Sequence, residues 1–395
     1  MLLDQGFPPD VRVANEARTL QEAGHRVHLL ALRLDEAAAA RETWEGVEIH
    51  RLRIGRRFYK KLRPVCLTLP FYFSFFRRAL EPFLERESIE ALHVHDLPLV
   101  SVALEAAEPR GIPVVADLHE NYPEAVRTYA YANRFPGKLV VSPERWQRHE
   151  RRHLPRCARV VVVVEEAAER LGAYGIPPER ISVVSNTVRV DEFEGFPREP
   201  DIETRYRKLF TLAYVGGIDR HRGLESTVEA FAAIASEDTD SHLLLVGAGS
   251  AVASLRARCR SLGLEGRVTF EGWQPFHRVP SYVRGSAVCL IPHLKSGHTD
   301  TTIPHKLFHY MLLERPVLAT DCRPLKRILE RTDAGLCYAS GDPTELARRI
   351  RELRDAGLRE RLGRNGRRAV LEEYNWSRTG ETLLALYRSL EARVP

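Results

Sequence analysis

At 395 residues the chain has room for two domains, or three small ones. Its 44% hydrophobic and 28% charged content belongs to a folded globular protein and excludes a disordered chain. The longest uncharged apolar stretch, 65–76, is far short of the ~20 residues of a membrane-spanning helix, and no basic-then-apolar leader precedes it, so a cytoplasmic protein is expected. The six cysteines contain no CxxC pair, which predicts reduced thiols and no zinc site.

Short, β-branched, nearly continuous apolar runs at 25–32, 47–52, 91–95, 113–118, 160–164 and 181–184 predict strands buried on both faces of a parallel sheet. A second series follows at 211–215, 242–246, 268–270, 287–291, 316–320 and 335–338. Ala/Glu/Arg/Leu-rich stretches of helical period alternate with them, which predicts an α/β protein of two doubly wound domains. Residues 193–208 are polar, carry two prolines and lack apolar periodicity, so the domains are expected at 1–195 and 196–375. The closing stretch 376–395 is amphipathic through Leu383, Leu386, Tyr387 and Leu390 and has no following strand to cross over to. The opening strand should precede the loop at Pro8-Pro9, yet only residues 1–4 remain for it, so either a very short strand or a late start is expected.

Four segments carry polar chemistry at expected strand or helix ends. In Phe7-Pro-Pro-Asp-Val-Arg-Val13, Asp10 can cap the helix that follows, and Arg12 stands in its first turn. Asp117-Leu-His119-Glu120 ends a strand where open parallel sheets bind ligands, and His95-Asp96 ends the strand before it. Either histidine could equally finish a strand and do no chemistry. Val215-Gly-Gly-Ile-Asp-Arg-His-Arg222-Gly223 is a strand, a Gly-rich loop and a helix start: Gly216 and Gly217 allow close backbone approach, and Arg222 supplies a cation for a diphosphate. In Thr301-Thr-Ile-Pro-His-Lys306, Pro304 suits a first helical position, Thr301 or Thr302 a cap, and Lys306 adds a charge at the same end. Lys306 is one of only seven lysines among 59 basic residues.

Two further motifs are weaker. Val246-Gly-Ala-Gly-Ser250 imitates a dinucleotide fingerprint but has Val252 at the third glycine position. Asp238-Thr-Asp240 imitates a metal-binding DxD but precedes a strand, as a solvated turn would. The net charge of +6 is concentrated: residues 51–85 carry nine basic and two acidic residues. That is a patch, not the diffuse charge of a nucleic-acid binder, so no nucleic acid is expected. Phe58, Tyr59 and Phe71 to Phe76 interleave with Arg56, Arg57, Lys60, Lys61, Arg63, Arg77 and Arg78, which suits either an anionic membrane surface or an aromatic helix packed on the first sheet.

Taken in order, the PPDVRV opening, DLHENYPE, Ser185-Asn186, GGIDRHRG, the GAGS turn and PHKLFHYM resemble the family 4 retaining glycosyltransferases, and most closely their PHKLF-type subgroup. The resemblance implies the GT-B fold: two Rossmann-like domains with a cleft between them, acceptor domain first and nucleotide-sugar domain second, and a terminal helix crossing back to the first. It implies transfer of a sugar from a nucleoside diphosphate sugar to a glycan or lipid-linked acceptor, with no cofactor and no metal. His119, Lys306 and Arg222 would be catalytic. Gly216, Gly217, Arg222, Thr301, Thr302, His305, Lys306 and His309 would bind the donor, and Asp10, Arg12, His95 and Glu120 the acceptor. The family's two glutamates, eight apart, fall on Thr301 and His309, and the arginine of its Gly-rich loop on Gly217. By resemblance His309 takes over the ribose contact, and His305 and Lys306 compensate for the rest. Three alternatives remain at this point: a GT-B epimerase or hydrolase acting on sugar nucleotides, a non-catalytic GT-B binding module, and a dehydrogenase.

Overall fold

The computed structural model describes residues 1–8, 10–128, 132, 135 and 137–391. Pro9 of the proline loop and residues 392–395 of the expected terminal helix lie outside the described residues. The chain divides into two compact units: Met1–Ser185 with the segment from Thr379 onward, and Asn186–Arg378.

The first unit contains β1 (His28–Arg33), β2 (Arg41–Trp44), β3 (Val47–Arg53), β4 (Leu92–His95), β5 (Val114–Leu118), β6 (Arg159–Val162) and β7 (Ile181–Val183). They run in the orders β1-β3-β2 and β4-β5-β6-β7, parallel except for β2. Leu2 joins the two sets, bridging Leu30 on one side and Val94 on the other. The opening strand is thus reduced to a bridge. β2 is an edge strand with three exposed polar residues and only Trp44 half-buried, so it carries little apolar signal and was not expected. Leu29, Val94, Val115 and Val161 are fully buried; each such side chain contributes ~1.5–3 kcal/mol of apolar burial.

The second unit holds β8 (Phe210–Val215), β9 (Ser241–Val246), β10 (Val268–Gly272), β11 (Val288–Ile291), β12 (Val317–Thr320) and β13 (Gly335–Tyr338). All are parallel, in the order β10-β9-β8-β11-β12-β13. The order reverses between β8 and β11, and a doubly wound sheet opens a crevice at the carboxyl ends of such neighbours.

The boundary between the units falls earlier than expected. Phe193 is 2% exposed and stacks on His309, with centroids 4.3 Å apart. Ile202 and Tyr206 are buried on a helix at Pro200–Arg207. Two apolar residues in an otherwise charged eight-residue helix are too few to register as a period. The terminal helix, Trp376–Glu391, lacks a strand because its partners lie in the first unit: Tyr387 Oη sits 2.9 Å from His93 Nδ1, and Arg159 donates to Ser389 Oγ at 2.9 Å.

Candidate active site

Polar residues gather at the carboxyl edge of each sheet. In the second unit, β8 runs into Gly216 and Gly217, a short turn at Arg220–Arg222, and the helix Leu224–Glu237. That helix starts at Gly223 with no side chain capping it, so its first N–H groups are left for an incoming anion. Gly216 has φ +140, and a Cβ there would lie 2.5 Å from Lys306 Nζ; only glycine suits the position. Lys306 Nζ stands over the Tyr214 ring, 3.8 Å from its centroid, and the Tyr214 hydroxyl donates to Gly217 O at 2.7 Å. Arg222 Nη1 is 3.1 Å from His293 Nε2.

Among the described residues, neither Arg222 nor Lys306 has a carboxylate partner. Burial, and then repulsion from Arg222, holds the Lys306 ammonium well below its ordinary pKa. His293 is held neutral by burial and by the same two cations, so its Nε2 accepts from Arg222. The loop is therefore electrostatically incomplete and suited to a diphosphate.

The GAGS turn has a different job from dinucleotide binding. Ile218 N–H bonds Ala248 O at 2.9 Å, Ser250 N–H and Oγ both donate to Asp219 Oδ1 at 2.9 and 2.6 Å, and Ala251 N–H bonds Ile218 O at 3.0 Å. The turn braces the Gly216–Arg222 loop from behind. A Cβ at Gly249 would run into the Ile218 backbone. Gly249→Ala should destabilise the second unit by about 1–3 kcal/mol and weaken nucleotide binding. Denaturant melts and nucleotide titration read both effects, and wild-type values would refute the bracing role. Asp238 and Asp240 pair with Arg354, and Asp238 also with Arg267, as a structural turn would.

The segment around Lys306 differs from expectation. Its helix is Lys306–Leu312, seven residues long, with His305 at the cap position, so Pro304 is not the first helical residue and neither threonine caps it. Residues 299–301 instead form a separate turn, in which the Thr301 hydroxyl donates back to Gly297 O at 2.6 Å. Pro304 O and His305 O accept the first N–H bonds of the short helix. Thr302 follows the turn, half-buried and extended. His309 is 8% exposed and packed between Phe193 and Phe276, and burial first, then His305 and Lys306, lower its pKa to about 3.

In the first unit the organising group is Asp117, at the end of β5 and fully buried. Its carboxylate accepts from Arg12 Nη2 at 2.6 Å and Nε at 3.2 Å, from His119 Nε2 at 2.7 Å, and meets His95 Nδ1 at 3.0 Å. Burial opposes its ionisation, but Arg12 and His119 outweigh that and hold it well below the usual carboxylate range. Burial likewise works against a charged His119, yet Asp96 and Asp117 prevail and raise its pKa to about 10. His119 is therefore an imidazolium at neutral pH, a hydrogen-bond donor and not a base. Its side chain is 17% exposed, so one edge reaches solvent.

Three expected acceptor contacts are occupied elsewhere. Asp10 caps the helix Val11–Glu22 through Arg12 N–H and Val13 N–H, both at 3.1 Å, and takes a bond from Gln5 at 2.7 Å. Arg12 is 3% exposed, bound to Asp117, Glu16 and Val184 O. His95 is fully buried, and burial first lowers its pKa to about 3. Arg12 and His95 thus orient Asp117, and through it His119. Glu120 is half-buried beside His119 and helps raise the Asp96 carboxyl to about 6, an effect led by burial. Asp117, Tyr214, Asp219 and His293 were not singled out as site residues. Asp117 and His293 each stand at the end of a strand, a signal that was available; the contacts of Tyr214 and Asp219 come from the fold.

Two family models match the chain in tandem: Glycosyltransferase Family 4 over residues 10–192 and Glycosyl transferases group 1 over residues 210–355. A curated relative, 2-deoxystreptamine glucosyltransferase of Streptomyces kanamyceticus, is 28% identical over 293 residues, covering 71% of this chain and 72% of that protein. A sucrose-phosphate synthase structure from Thermosynechococcus elongatus aligns with TM-score 0.81 at 20% identity, covering 99% of this chain and 98% of that one. Anabaena HepE in complex with UDP-glucose aligns with TM-score 0.72 at 15% identity, covering 98% of each chain.

Proposed function

We propose, from the premise that this chain belongs to the family 4 glycosyltransferases of GT-B fold, that it transfers a sugar from a nucleoside diphosphate sugar to an acceptor hydroxyl with retention of anomeric configuration and with no metal at the diphosphate. The observation that carries this reading is the pair of carboxylate-free cations, Arg222 and Lys306, beside Gly216 at the switch point of the second sheet. Charge grows on the diphosphate as its bond to the sugar breaks. A preorganised guanidinium, an ammonium and the first N–H groups of the helix Leu224–Glu237 stabilise that charge, the work a divalent ion does elsewhere. His119, as an imidazolium, donates to a sugar or acceptor oxygen. The acceptor proton goes to the departing phosphate, in a same-face attack that needs no nucleophilic carboxylate. His305, Thr302 and Glu120 complete the proposed donor and acceptor contacts.

The test is a melting panel followed by product analysis. One of UDP, GDP and ADP should raise the melting temperature while NAD does not. Its sugar conjugate should then yield a product of the donor's anomeric configuration at a rate indifferent to EDTA. An inverted product or a chelator-sensitive rate would overturn this mechanism, and donor consumption without any acceptor would favour the hydrolase.

The acceptor is proposed to be a lipid-linked glycan at the cytoplasmic membrane face, in polysaccharide or glycolipid synthesis. Among the described residues no helix is long and apolar enough to cross a membrane. The basic patch of the first unit resolves into two parts. Tyr72 and Phe76 are fully buried, whereas Phe58, Leu69 and Phe71 are exposed alongside Arg57, Lys60, Lys61 and Arg78. Exposed rings among cations suit an anionic surface. Flotation with phosphatidylglycerol liposomes should carry the protein upward, less so at high salt or in Phe58→Ser/Phe71→Ser. Retention in the soluble fraction would favour a small soluble acceptor, in keeping with the Streptomyces relative named for 2-deoxystreptamine.

A further inference from the structure

The second unit carries another cationic concavity, a cavity of about 730 Å³ at the opposite edge of its sheet. Phe210 opens β8, and Asp240, Ala287 and Pro316 immediately precede β9, β11 and β12; all four line the cavity. Gly216 and His293 lie beyond the far ends of β8 and β11. The length of β8, ~20 Å, therefore separates this cavity from the donor loop.

Six basic side chains line it, Arg207, Lys208, Arg315, Arg354, Arg359 and Arg364, against three acidic ones. The acidic groups are already engaged: Asp240 accepts from Arg354 at 2.9 Å, Glu360 lies 3.5 Å from Arg364, and Glu314 lies 3.6 Å from Arg367. Arg315 and Arg359 have no carboxylate partner among the described residues and donate to backbone carbonyls instead. Arg315 donates to Leu313 O and Ser286 O, both at 3.1 Å. Arg359 donates through Nη1 to Leu353 O at 2.6 Å and Arg354 O at 2.7 Å. In each fork Nη2 has no acceptor among the described residues.

Burial depresses the pKa of both guanidinium groups, and repulsion from Arg207 on Arg315 and from Arg354 on Arg359 adds to it. Phe210 gives the site a rigid apolar floor, with Arg354 and Arg359 4.1 and 5.3 Å from its ring centroid. Oriented guanidinium forks suit phosphate oxygens, and the volume suits a small metabolite.

We propose that this cavity binds a free, multiply charged phosphate compound at a second site independent of the sugar donor. Calorimetric titration of the full chain with inorganic pyrophosphate tests it. Arg222→Ala/Lys306→Ala, which disables the donor loop, should keep pyrophosphate affinity at this second site within about threefold of the unmodified protein. In that background, Arg315→Gln/Arg359→Gln should weaken it by about tenfold or more. Arg364→Gln, an exposed change that leaves the packing intact, should weaken it by about threefold if the double variant does not fold. The proposal is overturned if pyrophosphate fails to bind once the donor loop is disabled, or if Arg364→Gln and the double variant both leave its affinity unchanged. Phosphatidylglycerol vesicles bound through Arg315 and Arg359, with free pyrophosphate left unbound, would also overturn it.

Discussion

Lys306→Ala and Arg222→Ala should each lower turnover by about tenfold or more while the fold survives, a loss of at least ~1.4 kcal/mol of transition-state stabilisation. In the donor-free protein the Lys306 ammonium is a liability, since burial and Arg222 both disfavour its charge. The sign follows. A lysine whose folded pKa is depressed binds fewer protons folded than unfolded, so the donor-free protein gains stability as pH rises from the folded value towards 10.5. Lys306→Met should therefore melt no lower than wild type without nucleotide, yet lose the nucleotide-induced shift. Diphosphate binding restores the favourable charge, so wild type should take up protons on binding, detectable by calorimetry in buffers of different ionisation enthalpy. Lys306→Met should not. Wild-type turnover in both alanine variants would end the assignment of the leaving-group site.

Asp117→Asn should destabilise the first unit by about 3–5 kcal/mol at neutral pH, because it removes the carboxylate shared by the buried Arg12 guanidinium and the charged His119 and leaves Arg12 only its pairing with Glu16. The pH dependence has two limbs. Asp117 has a depressed folded pKa, so its contribution is present above the unfolded value, about 3.9, and disappears as pH falls through the folded value. His119 has a raised one, so its contribution is complete below about 6.5 and disappears as pH rises through about 10. The gap between wild type and variant should accordingly be widest at pH 5–7 and shrink by the His119 part alone as pH rises through about 10, the Arg12 part remaining. Guanidinium unfolding at those values measures it. NMR of labelled imidazoles should show His119 still protonated at pH 8 in wild type and titrating lower in the variant. A His119 midpoint near 6.5 in wild type, or a stability loss below ~1 kcal/mol, would show that the network does not act as described.

Much of this architecture was legible from local pattern. Parallel strands buried on both faces read as short apolar runs, and the observed limits differ from the predicted ones by a few residues at most. The edge strand β2 and the helix Pro200–Arg207 escaped because each has little apolar surface to bury. The cations Arg222 and Lys306 beside Gly216 were legible because glycine, arginine and lysine at strand and helix ends have few other uses. The helix start at Pro304 was misplaced: a proline and two threonines suit a cap, but the Thr301 hydroxyl bonds back to Gly297 and the helix begins only at Lys306.

Residue type and order alone determined the two doubly wound sheets and the gathering of glycine, Arg222, Lys306 and His119 at strand and helix ends, since these depend on hydrophobic period and on chemistry carried by neighbours in sequence. Tertiary structure decided what those groups are free to do. Arg12, far from Asp117 in the chain, is committed to it; Asp96 and Asp117 keep His119 charged; the GAGS turn braces the Gly216–Arg222 loop. Charge states and hydrogen-bond commitments depend on distance through space and on exclusion of water, and neither is written in the spacing of residues along the chain.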